Sequence, residues 1–420
     1  MEKLFTRNFT FLVLGQVSSL IGNYTLKFAL SMYVLECTGS ASVFAGMLAM
    51  AMLPTILLSP FGGILADRAN RRNVMVALDF LSGLSVLAAG FAMLWGKDML
   101  VIGALLIMLS VLGAFESPTV QACIPQMLSG ENIIKGNAVV SQVASVAALI
   151  TPFLGSLFYT AFGIRLVLGA AVLCFFLTAL LECFIRLDYK KPEKKEKLWT
   201  IVKEDFSVTM RFLCREQPGI LKLLLLAAMV SLFVAGTAVV GFPYLVRTVL
   251  GLSAAHYGVA ESAMGIAAIL GSLCVALLAK KLRLQHLSFM LVSFGIGLLP
   301  CGAAFLVSTD VFARYLILLA MFCVCQLGCS FFSTYAISVV QERTPEQLMG
   351  KVMSYVFTLS LCAQPVGQIV YGALFDRFSD SVYWVLIPSG LLVCAVGIAS
   401  RRFFVWLEEE MCNRREDISK

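Results

Sequence analysis

The sequence predicts an all-α membrane protein in which twelve transmembrane helices form two pseudo-symmetric six-helix bundles, and three observations carry that expectation. Of 420 residues, 60% are hydrophobic and only 14% are charged, with a mean hydropathy of +0.90. That is too much apolar surface for a water-soluble fold of this length, so the bilayer must act as the solvent. Second, twelve apolar runs are each long enough to cross ~30 Å of hydrocarbon, which takes about 20 helical residues. Third, one long polar stretch, 188–218, divides the runs six and six. A membrane barrel would instead show alternating segments of ~10 residues, a pattern foreign to this chain.

The first six runs fall at 9–36, 42–66, 73–95, 99–121, 133–161 and 163–187. The second six fall at 219–247, 253–280, 285–307, 311–340, 349–374 and 382–407. Run 1 is a full span carrying Gln16, Asn23 and Lys27. It lacks the short apolar core and small-residue cleavage site of a signal peptide and is expected to stay in the protein. Tight turns are required at 161–163 and 280–285. In the central polar stretch, Leu198, Val202, Phe206, Met210 and Leu213 recur at helical spacing with charges between them. That predicts an amphipathic helix lying on the cytoplasmic face. The expected organisation is an N-terminal bundle over 1–187, a linker over 188–218, a C-terminal bundle over 219–407 and a cytoplasmic tail over 408–420.

A weak internal repeat links the halves. Ser129-Gly130-Glu131-Asn132-Ile133-Ile134 parallels Thr344-Pro345-Glu346-Gln347-Leu348-Met349, and Pro152 and Pro365 follow about a membrane thickness later. Duplicated halves about a pseudo-two-fold axis are common among secondary transporters. Prolines at 54, 152 and 365 are expected to bend their helices.

Orientation follows from the 32 basic residues. With both termini cytoplasmic, Lys97, Arg165, Arg247, Arg314 and Arg377 face outward, Lys27 lies within a span, and the other 26 are cytoplasmic. The inverted topology reverses this bias and is rejected. The net charge of +7 is thereby explained by topology, without invoking nucleic acid. Thirteen cysteines lie mostly within spans, where they behave as small apolar residues. Cys323, Cys325 and Cys329 have no histidine or acid beside them, so no metal or other cofactor is expected. The nearest approach to a phosphate loop, Gly90 to Gly96-Lys97, is one residue too long and has Asp98 where Ser or Thr is needed. Any work must therefore draw on a gradient. Catalysis is equally unsupported, because the two histidines, His256 and His286, neighbour no nucleophile.

Between runs 2 and 3 stands Gly63-Ile64-Leu65-Ala66-Asp67-Arg68-Ala69-Asn70-Arg71-Arg72. This stretch resembles the signature loop between helices 2 and 3 of the major facilitator superfamily. Gly15-Gln16, Thr38-Gly39-Ser40-Ala41, Phe115-Glu116-Ser117-Pro118, Pro125 and Tyr257-Gly258-Val259-Ala260-Glu261 look like the bacterial macrolide-efflux branch of its drug exporters, which are drug–proton antiporters. The resemblance implies two bundles that rock about a central cavity and export an amphipathic drug or antibiotic across the bacterial cytoplasmic membrane, with proton antiport as the coupling. It also implies that Gly63, Asp67, Arg68, Arg71 and Arg72 form a gating loop that latches the bundles. A purely topogenic role for the arginines is the alternative, although topology needs neither the glycine nor the aspartate. Expected partners are membrane lipids, a small-molecule substrate and protons, with the chain acting as a monomer. Transport of a lysophospholipid, a siderophore or another metabolite is the second reading, and a transport-dead sensor on the same scaffold the third.

Polar residues inside spans supply the candidate substrate and coupling sites. Gln16, Ser19, Asn23 and Lys27 recur every three or four residues and so share one face of helix 1. An ammonium facing lipid would cost several kcal/mol, so Lys27 needs a partner or a cavity. Glu261 in the outer half of helix 8 is the first choice by depth, ahead of Glu116 near the inner end of helix 4 and Asp79 on helix 3. Asp79 is read as an anchor for the signature loop, and Glu116 as either a coupling site or a solvated helix end. Helix 5 offers Asn137, Ser141 and Ser145, helix 10 offers Gln326, Ser330, Ser333 and Thr334, and helix 11 offers Gln364 and Gln368 beside Pro365. Small hydroxyls also let helices pack closely, which is the plainer role for these residues. Against the family pattern, Asn23 stands where many exporters have an acid and Leu109 where they have an arginine. Thr151-Pro152-Phe153-Leu154-Gly155 also departs from the helix-5 antiport motif.

Overall fold

A computed structural model describes residues 4–187, 211–278, 282–307, 310–344 and 346–419. The first four helices are α1 (Arg7–Thr38), α2 (Ala41–Arg68), α3 (Arg71–Ala92) and α4 (Asp98–Met127). Polar caps begin three of them: Thr6, Ser40 and Asn70 accept from the backbone N–H groups of Phe9, Val43 and Asn73, satisfying donors that have no intrahelical partner. Gly39 ends α1 at φ 60°, a left-handed conformation that glycine adopts without penalty.

Continuous helix then runs over Glu131–Cys183, but Gly163 inside it has φ 72° and ψ 178°. The expected turn at 161–163 is this residue, and it divides the segment into α5 (131–162) and α6 (164–183). Next come α7 (Pro218–Val249), α8 (Ala254–Leu278), α9 (Gln285–Leu306), α10 (Val311–Arg343), α11 (Glu346–Arg377) and α12 (Tyr383–Ser419). Among the described residues ten helices are long and apolar enough to span, one of them the doubled Lys135–Cys183. With that segment counted as two and α11 added, the tally is the predicted twelve.

Boundaries differ from the expectation at informative places. α4 runs on to Met127, past the predicted end at 121, so Glu116 lies well inside the helix rather than at its end. α12 continues through the segment read as a tail, to Ser419. Beyond Val234, α7 widens into five-residue turns, with Phe242 N–H bonding Thr237 O just before Pro243. The amphipathic helix expected at Leu198, Val202, Phe206 and Met210 lies outside the described residues.

The chain divides into two compact units, Met1–Lys195 with Gly251–Ser262, and Glu196–Leu250 with Ala263–Lys420. Residues 251–262 thus group with the first unit, not with the C-terminal bundle expected to hold them. The packing explains why: Phe28 and Tyr257 stack at 5.4 Å, Ser262 Oγ donates to Leu149 O at 3.2 Å, and Gly258 lies so close to Ser156 and Pro152 O that a Cβ would collide.

Both units repeat one pairing scheme. Second and fourth helices touch at glycine, where a Cβ on Gly62 would strike Ala114 O and one on Gly271 would strike Leu327 O. Third and sixth helices meet at Gly83 against Phe176 and at Gly295 against Gly390. Close backbone approach at small residues is how helices gain dispersion energy where lipid removes the hydrophobic drive. Outside these seams Leu100, Leu173 and Leu277 are more than 70% exposed, as a bilayer solvent allows.

Candidate substrate cavity and its charged residues

In the first unit a cavity of about 380 Å³ opens among α1, α2, α4 and α5. Its lining includes Gln16, Ser19, Asn23, Tyr24, Lys27, Glu116 and Ser141, and also Leu109. The polar stripe of helix 1 therefore faces a cavity, as its spacing predicted. Lys27 is solvent-exposed there, which spares an ammonium direct contact with lipid.

The charge facing Lys27 is Glu116, whose carboxyl acts electrostatically on it. This corrects the sequence-based choice of Glu261. Glu261 is absent from the cavity lining, and its carboxyl bonds with the Tyr257 hydroxyl one turn earlier on α8. Depth along a span says nothing about azimuth, and Glu261 points toward its own helix neighbour. Ser19 Oγ also stands 3.4 Å from Glu116 Oε1, within hydrogen-bonding reach, and Tyr24 stands close enough to feel the charge of Glu116. Gln16 is 7% exposed, and its Nε2 and Asn23 Oδ1 have no hydrogen-bond partner. Unpaired buried donors and acceptors are costly, and a bound ligand is one way to satisfy them. Of the helix-5 candidates only Ser141 reaches the lining, since Ser145 Oγ turns back to Ser141 O at 2.9 Å and Asn137 Nδ2 to Ile133 O at 3.0 Å.

A second cavity of about 310 Å³ in the second unit is lined by Ser231, Gln326, Ser330, Ser333 and Gln364. Ser330 Oγ donates to Ala268 O at 2.6 Å and meets Ser272 Oγ at 2.8 Å, with Thr334 Oγ1 3.2 Å from the same Ser272. Hydroxyls therefore tie α8 to α10 while the two amides face the cavity.

In the signature loop, Arg71 Nε donates to Ala66 O and Nη1 to Ala122 O, both at 2.7 Å. Arg72 Nη2 donates to Cys183 O. Guanidinium groups at the head of α3 thus reach terminal carbonyls of α2 and α6 and a carbonyl in the last two turns of α4. Arg68 is exposed, Gly63 stands within α2, and the Asp67 side chain lies outside the described residues.

Sequence reasoning passed over one residue that the structure brings into the centre. Glu182 on α6 is 1% exposed and packs against Asp79, itself fully buried, on α3. Its signal was available, because an acid inside an apolar span is a functional candidate by default. Glu182 stands five residues before the predicted span end at 187.

Twelve helices in two matching units, with polar cavities in otherwise apolar interiors, describe a multi-pass membrane protein of transporter type. Residues 12–367 match the family profile of the Major Facilitator Superfamily, and the chain belongs to that family. Macrolide efflux protein A of Streptococcus pyogenes is 23% identical over 389 residues, covering 90% of this chain and 92% of that protein. A bacterial homologue of the iron transporter ferroportin superposes with TM-score 0.71 at 18% identity, covering 94% of this chain and 98% of that one. The nucleoside transporter NupG gives TM-score 0.73 at 11% identity, covering 94% and 99%. At these identities the two structures share the fold alone.

Proposed function

We propose that this protein is a secondary active exporter of an amphipathic drug or antibiotic, working by rocker-switch alternating access and coupled to proton antiport across a bacterial cytoplasmic membrane. The observation that carries the reading is the cavity of the first unit, which pairs one ammonium with one carboxylate and leaves buried amide groups unsatisfied inside a span. Likeness to a macrolide efflux protein over nine-tenths of the chain supports the substrate class. Apolar walls from Leu20, Leu109, Val120 and Val140 suit the greasy part of such a molecule, while Lys27 and Glu116 orient its polar part. One cation opposite one carboxylate is a balanced lining, which does not favour an anionic lipid headgroup or siderophore. The distribution of basic residues supports cytoplasmic termini, and the proposed working unit is the monomer.

The test is uptake of ethidium and of a macrolide panel into everted vesicles, with and without an imposed pH gradient. Uptake that needs the gradient and falls at least tenfold in Glu116→Gln, but less than threefold in Glu261→Gln, is the expected result. Equal uptake with the gradient collapsed by an ionophore would remove the antiport part of the proposal, and no uptake of any compound would remove the export part.

A further inference from the structure

Asp79 on α3 and Glu182 on α6 lie side by side behind the cavity wall, 0% and 1% exposed. Two ionised carboxylates buried side by side repel strongly, and one proton shared between them relieves that repulsion and supplies the O–H that a bond between two carboxyls needs. From α1, Ser19 Oγ donates to Asp79 Oδ1 at 3.0 Å, while the same oxygen lies 3.4 Å from Glu116 Oε1. From α4, Glu116 acts electrostatically on both acids, and Cys123 stands beside Glu182 and Arg71. Lys27 lies beyond Glu116, in the cavity. Asp79 Oδ2 and Glu182 Oε2 have no hydrogen-bond partner. Independently, Gln16, one turn from Ser19 and 93% buried by its 7% exposure, holds an unpartnered Nε2 in the wall it shares with Ser19 and Glu116.

We propose that Asp79 and Glu182 form an occluded proton-binding site, holding one shared proton, and that Ser19 links its occupancy to Glu116 in the cavity. Ser19 has a single O–H and can donate to only one of the two carboxyls at a time. With the proton in place, the Asp79–Glu182 pair carries one negative charge and Ser19 is free to turn toward Glu116. When the proton leaves, both acids are ionised, and the doubled charge draws the Ser19 hydrogen to Asp79. Glu116 is then left to Lys27 or to a cationic group of the substrate. The inference deepens the proton-antiport reading and rests on it for its purpose, although the site can hold its proton whether or not transport is coupled.

Infrared difference spectroscopy on the full chain in lipid nanodiscs, stepped between acidic and alkaline buffer, tests it with no substrate present. The wild type should show the C=O band of a protonated carboxyl, shifted in deuterium oxide. Asp79→Asn and Glu182→Gln should each remove one such group, and the double variant no more than either single one. Ser19→Ala should keep the band and move its midpoint pH. Persistence of the band in both single variants, or an additive loss in the double variant, overturns the shared site. Folding is checked by monodisperse elution, and Glu182→Asp should retain the band where Glu182→Gln loses it. Vesicle flux separates the two ideas. Gradient-driven uptake with no such band would sink this site and leave the coupling intact, and the band without gradient-driven uptake would do the reverse.

Discussion

Replacing Gly22 by alanine should loosen the first unit, and the structure sets the size of the effect. A Cβ on Gly22 would sit 2.7 Å from Cys174 Cβ on α6, where carbon atoms at rest stand about 3.5–4.0 Å apart. Cys174 Cβ is bonded to the backbone, so no side-chain rotation clears the space, and α1 must move from α6 by roughly 1 Å. Overpacking of this kind costs about 1–3 kcal/mol, against up to ~1 kcal/mol gained from alanine's better helix propensity. Gly103 on α4 has nothing within 4 Å, so its alanine variant should show the propensity gain alone. The contrast between the two variants therefore isolates packing at about 2 kcal/mol. At Gly295 the obstacles are backbone atoms of α12, Gly390 O at 2.6 Å and Cys394 N at 2.7 Å, and the cost should reach the upper end of that range. Thermal unfolding of purified protein in detergent, followed by size-exclusion chromatography, should rank the midpoints Gly103→Ala, Gly22→Ala, Gly295→Ala from highest to lowest. A Gly22→Ala protein as stable as Gly103→Ala would refute the close seam between α1 and α6.

Lys27→Ala should insert normally into the membrane and yet lose most of its transport, because Glu116 would then face the cavity without its cation; flux at the wild-type rate would take Lys27 out of the site. Arg71→Ala removes two charge-assisted hydrogen bonds, to Ala66 O and Ala122 O, each worth roughly 1.5–3 kcal/mol, and should lower the melting midpoint. Arg71→Lys should recover less than half of that loss, since one ammonium cannot span both carbonyls. Cys37 at the end of α1 and Cys183 at the end of α6 are both exposed. In variants retaining only one of them, an impermeant maleimide should label Cys37 in intact cells and Cys183 only after permeabilisation, and the opposite pattern would invert the proposed orientation.

Hydrocarbon thickness made the fold legible, because about 20 apolar residues per crossing is a constraint that every span has to meet. The turn at Gly163 could be placed because two spans left it only a residue or two. The cavity face of α1 was legible for a similar reason: four polar residues at helical spacing have only one side to share. Partners were not legible. Lys27 and Glu261 match in depth, but a span fixes height and leaves rotation to packing, and packing brings Glu116 to the cavity instead. The signature-loop arginines carried two readings, topogenic and latching, and the sequence offered no sign that Arg71 and Arg72 would reach carbonyls of three helices. Glu182, near a span end, was not singled out from the sequence, and it is its 1% exposure beside Asp79 that shows it is not solvated.

Charge balance ties the cavity to the acids behind it. Asp79, Glu116 and Glu182 cluster in the interior of the first unit, and an unpaired ionised carboxylate in such a setting costs several kcal/mol. Lys27 offsets Glu116 across the cavity, and Arg71, which shares Cys123 as a neighbour with Glu182, can offset one further charge from the loop end. A proton between Asp79 and Glu182 removes one negative charge from this cluster. Loss of that proton restores the charge, which a cationic amphiphile entering beside Glu116 would offset. On the proposed antiport reading, proton release and arrival of a positively charged substrate favour one another, as exchange of one against the other requires.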